Sequence, residues 1–116
     1  MIVYGIKNCD TMQKALRFLE AEKQIFHFHN YKVNGIDAII IKRWLNLYPI
    51  ELLINTKGLT FKKLTDTQKA SIHLKSKAIE MMTESPSMIK RPILELKNGN
   101  ILLGFNEIEW KNALNA

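Results

Sequence analysis

Ile2-Val3-Tyr4-Gly5-Ile6-Lys7-Asn8-Cys9-Asp10-Thr11-Met12-Gln13-Lys14-Ala15 opens on an apolar run, reaches the sequence's single cysteine and passes at once into a helical pattern. Ile2 to Tyr4 read as a buried strand of β-branched and aromatic residues, ended by Gly5. From Asp10 onward the apolar positions Met12, Ala15, Leu16 and Leu19 recur three and four apart. That spacing predicts one face of a helix running to about Glu22, with Asp10 or Thr11 as its cap. Cys9 then stands at a strand-to-helix junction. Unpaired N–H groups and the positive end of the helix dipole meet there, and both favour a thiolate.

The dipole alone is too weak to activate the thiol. A free thiol titrates near ~8.5, and lowering it by about two units takes roughly 2.7 kcal/mol. An exposed helix terminus supplies ~0.3–1 kcal/mol and a favourable site up to ~2. Lys7 adds to it, the adjacent Asp10 opposes it, and Arg91 is the candidate cation from the far part of the chain. The competing reading of Cys9 is a small buried apolar residue.

Working outward, Gln24 to Tyr31 alternates, with Ile25, His27 and His29 on one side and Phe26, Phe28 and Asn30 on the other. This predicts a second strand, parallel to the first across a βαβ unit. Asn34-Gly35 marks a turn, and Asp37 caps a helix carrying Ile40, Ile41, Trp44, Leu45 and Tyr48 that ends at Pro49. Asn55-Thr56-Lys57-Gly58 is a polar loop. A helical pattern, capped by Thr65 or Asp66, continues to Glu84 and stops at Ser85-Pro86-Ser87. Ile93 to Lys97 and Asn100 to Phe105 are strands around Asn98-Gly99, a pair that favours a type I′ hairpin turn. Asn106 caps a last helix with Ile108, Trp110 and Leu114. The fold class is α/β: a mixed four-stranded sheet in the thioredoxin-like arrangement, β-α-β, helical insertion, β-hairpin and C-terminal helix. The expected organisation is one domain over 1–116, with the insertion at about 35–85.

Composition narrows the chemistry. The 47% apolar and 24% charged residues are those of a globular protein. No apolar run approaches the ~20 residues a membrane span needs. The chain starts directly on a strand without a signal peptide, so the expected location is cytoplasmic. One cysteine excludes an internal disulfide and any metal site built on several thiolates. His27 and His29 form a His-x-His strand pair without a third ligand in view, so no metal is expected. The net charge of +6 is carried mostly by lysines, with arginine at positions 17, 43 and 91 only. Scattered lysines suit a soluble surface, and the absence of a basic stripe interleaved with aromatics argues against nucleic acid.

Tyr4-Gly5-Ile6-Lys7-Asn8-Cys9-Asp10-Thr11 with Lys14-Ala15, together with Ile89-Lys90-Arg91-Pro92-Ile93, resembles the arsenate reductase/Spx (ArsC-like) family, and most of all its YffB-like branch. The resemblance covers essentially the whole chain. It implies a catalytic cysteine at Cys9 and an arginine directly before a cis-proline at Arg91 and Pro92. An X–Pro bond is the one inexpensive cis peptide. The resemblance further implies that Lys7, Asn8, Thr11, Asn55, Lys57 and Pro92 bind substrate or glutathione. Arsenate reductases of this family set three arginines around the cysteine. Here Arg91 alone matches. The second place falls near Asn55, with Lys57 close by, and the third near Gly104. A tetrahedral oxyanion wants several fixed forks, which argues against efficient arsenate reduction. Spx regulators often carry Cys-x-x-Cys at the first motif, and Met12 occupies the fourth position here.

The function expected is that of a glutathione-dependent thiol oxidoreductase with a single nucleophilic cysteine and mixed-disulfide chemistry. It needs no tightly bound cofactor, and glutathione or another small thiol serves as co-substrate and partner. The alternatives are an Spx-like module that binds RNA polymerase without a redox switch, and a weak arsenate reductase acting on an oxyanion.

Overall fold

Residues 1–116 are all described by the computed structural model. In chain order the elements are β1 (Ile2–Gly5), α1 (Asp10–Ala21), β2 (His27–Asn30), α2 (Tyr31–Asn34), α3 (Ala38–Leu45) and α4 (Ile50–Leu53). There follow α5 (Leu59–Lys62), α6 (Asp66–Ser71), α7 (Lys75–Glu84), a 3-10 turn (Pro86–Met88), β3 (Ile93–Glu95), β4 (Ile101–Leu103) and α8 (Glu107–Leu114). They form two compact units: Met1–Asn30 with Arg91–Ala116, and Tyr31–Lys90. The second is wider than the helical pattern at 35–85, because α2 begins directly after β2.

The first unit holds the sheet, in the order β2-β1-β3-β4. β1 runs parallel to β2 with Ile2 opposite His27, and antiparallel to β3 with Val3 opposite Leu94 and Tyr4 opposite Ile93. β3 pairs antiparallel with β4. This is the thioredoxin-like mixed sheet expected from the sequence. Side chains alternate across a strand, so Val3 and Leu94 share a face. That face packs on Met12, Ala15, Phe18 and Leu19 of α1 and on Trp110 of α8. Phe18, Phe105 and Trp110 close the same core as an aromatic cluster, with Phe105 and Trp110 edge to face at 4.9 Å. On the other face the Tyr4 ring lies 4.9 Å from that of His29, and its hydroxyl donates to the Glu95 carboxylate at 3.3 Å.

Two details of this unit differ from the expectation. The second strand is shorter, because the residues before it finish α1. The N–H groups of Glu22, Lys23 and Gln24 bond back to Phe18, Glu20 and Leu19, with Lys23 at φ 55°. Ile25 is therefore left 91% exposed, and Tyr31 already belongs to α2. The hairpin is not type I′. Its turn is closed by the Gly99 N–H on the Leu96 carbonyl, and Gly99 alone carries a positive φ, +90°. The Leu96 N–H then bonds to the Asn100 carbonyl across a three-residue loop, which accommodates strand twist through the glycine.

The second unit is helical. The Asp37 side chain accepts the Ile39 N–H at the start of α3, and Thr65 and Gln68 form a capping box on α6. α3 packs on α7, and the 3-10 turn packs on α2, α5 and α7. Trp44, Leu53, Met82 and Ile89 are fully buried. Ile54 and Ile89 form an antiparallel bridge. The expected run from Thr65 to Glu84 is two helices, broken where Leu74 turns extended at ψ 122°. α5 is a single turn, too short for periodicity to reveal. Asn55 lies after α4, and its side chain accepts the Lys57 N–H at 3.2 Å. The chain holds no group of three or more His, Cys, Asp or Glu able to share a metal ion. No helix is long and apolar enough to cross a membrane.

At Gly5, β1 lies directly against the Met12 side chain of α1. A Cβ there would run into the Met12 sulfur, and Met12 is wholly buried. Gly5→Ala is expected to cost about 1–3 kcal/mol of unfolding free energy, as overpacking does. Urea titration of the two proteins checks it, the loss appearing as a lower midpoint at unchanged slope.

Candidate functional site

The register of β1 on β3 brings the site together. Tyr4 pairs with Ile93 in antiparallel sense, so the exit of β1 and the entry to β3 lie at the same end of the sheet. Beyond β1 come Ile6, Lys7, Asn8 and Cys9, and before β3 come Arg91 and Pro92. Residues at opposite ends of the sequence thus meet within one compact unit.

Cys9 is itself the N-cap of α1, with extended backbone at φ −147° and ψ 128° and its carbonyl accepting the Gln13 N–H at 3.0 Å. The expectation that Asp10 or Thr11 would cap the helix is corrected: both lie inside it. No side-chain oxygen closes the first turn. The Cys9 sulfur occupies that position, and the N–H groups of Met12 and Thr11 act on it, although the approach falls short of a fully formed capping bond. Cys9 is half-buried, with one side against the α1 and β1 core.

Burial is the largest single influence on the thiol, and it pushes the pKa up. Against it work the Met12 N–H, a hydrogen bond from the Arg91 guanidinium, the Thr11 N–H and the positive charge of Arg91. Together they outweigh burial, and the thiol is held more acidic than an ordinary cysteine. The dipole arithmetic asked for one further cation, and Arg91 is in place. Arg91 is half-buried, the bond between it and Pro92 is cis, and Pro92 is buried. The Pro92 carbonyl accepts the Gly104 N–H at 2.8 Å, which continues the ladder between β3 and β4.

Lys7, Asn8 and Thr11 are exposed around the cysteine. Thr11 contributes its backbone N–H to the sulfur. Asn55 and Lys57 belong to the second unit, in the turn described above. One contributor was not anticipated from the sequence. The Gln13 side-chain amide, one turn into α1, donates to the Lys7 carbonyl at 2.8 Å and closes the loop that carries Cys9. On an exposed helix face a glutamine reads as a solvated residue. Only its position four beyond the cysteine hinted at a local role.

The ArsC family model matches residues 4–113. An uncharacterized protein of Haemophilus influenzae is 40% identical over 112 residues, covering 96% of each chain. The global transcriptional regulator Spx of Streptococcus agalactiae is 29% identical over 110 residues, covering 92% of this chain and 77% of its own. Among solved structures, a YffB protein superposes with a TM-score of 0.92 at 45% identity, covering 97% of both chains. An arsenate reductase (ArsC) related protein from Brucella melitensis superposes with a TM-score of 0.74 at 39% identity, covering 99% of this chain and 94% of its own.

The alkylation rate of Cys9 should rise with pH and level off, with its midpoint below the ~8.5 of an ordinary thiol. In Arg91→Ala two of the influences that lower it vanish, so the midpoint moves up and the rate at neutral pH falls several-fold. Iodoacetamide labelling followed by mass against pH measures both.

Proposed function

The chain belongs to the ArsC family, and from that premise we propose that it is a one-cysteine thiol–disulfide oxidoreductase that takes its reducing equivalents from glutathione. The feature that carries this reading is a half-exposed Cys9 at a helix N-terminus, its thiol made more acidic by the Met12 N–H, the Arg91 guanidinium and the Thr11 N–H. A thiolate so held is a nucleophile, and it leaves readily when a mixed disulfide is opened.

In the first step the Cys9 thiolate attacks the glutathione sulfur of a disulfide R–S–S–G. A Cys9–glutathione bond forms, the original sulfur–sulfur bond breaks, and the R thiolate leaves and takes a proton from water. In the second step a second glutathione, as thiolate, attacks the glutathione sulfur of the mixed disulfide. Oxidised glutathione departs and the Cys9 thiolate returns. The net reaction is an exchange: one free glutathione is consumed, its sulfur takes the place of the R sulfur in the disulfide, and R leaves as the thiol. With no second cysteine in the chain, resolution falls to the external thiol.

Arg91 holds the Cys9 thiolate in both its attacking and its leaving role. Backbone groups at Pro92 flank the bound thiol, and Lys7, Asn8 and Thr11 supply exposed polar groups around it. No tightly bound cofactor is needed, and a cytoplasmic, reducing milieu keeps the donor as thiol.

The similarity to Spx supports a second reading, a module that docks on RNA polymerase. Met12 stands where a switch cysteine would be needed, so docking would be independent of redox state.

With a glutathionylated peptide and glutathione as sole donor, the protein should turn over, Cys9→Ser should lose all of that activity, and a single glutathione adduct should be trapped on Cys9. Absence of both adduct and turnover, with retention of RNA polymerase from a defined mixture, would leave the second reading standing.

A further inference from the structure

Trp110 lies in the core, fully buried. Its indole N–H nevertheless donates to the Gly104 carbonyl at 3.0 Å. The Gly104 N–H in turn donates to the Pro92 carbonyl at 2.8 Å. Pro92 follows Arg91 directly, and Arg91 reaches Cys9. All five residues belong to the first unit. We propose that Trp110 is a positioning residue for the thiol site: its indole N–H fixes Gly104, Gly104 fixes the Pro92 carbonyl, and the Arg91 guanidinium is thereby aimed at Cys9. This rests on the proposed thiol chemistry and adds a residue to it.

The geometry gives the chain its stiffness. β4 ends at Leu103, so Gly104 lies just past the last paired residue of an edge strand. Chain there would fray, as strand ends with one neighbour do. The indole bond anchors it to α8. Trp110 is itself fully buried, edge to face against Phe105 at 4.9 Å and near Phe18 at 6.4 Å. Asn106 caps α8 by accepting the Glu109 N–H at 2.9 Å, which settles where that helix starts relative to Gly104. Gly104 is half-buried, so water can replace the lost indole donor. Water restores a hydrogen bond but not a fixed position. Removing the N–H therefore loosens the placement of Arg91 more than it weakens the fold.

Trp110→Phe deletes the donor and keeps an aromatic ring. The alkylation midpoint of Cys9 is measured in the wild type, Trp110→Phe, Arg91→Ala and the double variant, each with its urea midpoint. Leu114→Ala, a core truncation on α8 outside the hydrogen-bonded chain, serves as the stability control. The expected result is a midpoint raised in Trp110→Phe, by less than in Arg91→Ala, unchanged in Leu114→Ala, and not raised further by adding Trp110→Phe to Arg91→Ala. A Trp110→Phe protein with the wild-type midpoint overturns the proposal, as does a shift of equal size in Leu114→Ala or a full further shift in the double variant. If Trp110→Phe does not fold, Trp110→Tyr is put through the same series. A wild-type midpoint at ~8.5 would instead remove the activated thiol itself, which is a separate failure.

Discussion

Cys9 and Arg91 are far apart in sequence, and the rest of the first unit can be understood as the means of holding one against the other. Burial disfavours charge on the Cys9 sulfur, and several donors together reverse that preference. Backbone N–H groups at the start of α1 are supplied by any helix in this position. The guanidinium is not; it arrives because β3 enters the sheet antiparallel to β1, with Ile93 opposite Tyr4. A parallel β3 would place Arg91 at the opposite end of the sheet. Strand direction is thus a chemical variable here as well as a topological one.

Met12 connects the site to the core. Its side chain is wholly buried beneath Gly5, and its backbone N–H acts on the Cys9 sulfur. A change in how α1 seats on the sheet would therefore be felt by the thiol through the same residue. Gln13 works from the exposed side of the helix, tying the Lys7 carbonyl to α1 and limiting how far the Cys9 loop can swing. Trp110 does a related job from α8 by way of Gly104 and Pro92. The loop that carries the cysteine is thus tied down from α1 on one side, and the chain beside Pro92 from α8 on the other.

The relatives fit this division of labour. The ArsC match runs through both units, from residue 4 to residue 113, so the helical unit is part of what the family shares. Spx keeps enough of the pattern to be 29% identical over most of this chain, and the third place after Cys9 is Met12 here. Packing explains why that position suits a long apolar side chain: it points into the core under β1 rather than toward the sulfur.

The local order of strands and helices was legible from Ile2 to Ala15 and from Ile93 to Trp110, because alternation, helical spacing and the Asn106 cap are properties of neighbouring residues. The place of Cys9 at a strand-to-helix junction was legible for the same reason. Boundaries set by competition were not: β2 lost its first residues to the closing turn of α1, and the long helix after Thr65 broke at Leu74. In the hairpin, Asn98-Gly99 marked the turn, but its type was decided by which carbonyl the Gly99 N–H reached. The charge on the sulfur was beyond any local pattern, since it depends on the balance of burial against donors brought from Arg91 at the other end of the chain. Sequence alone determined the elements and the place of the single cysteine among them, which are matters of near neighbours. Tertiary structure decided how readily that thiol ionises, because electrostatic energy depends on distance in space.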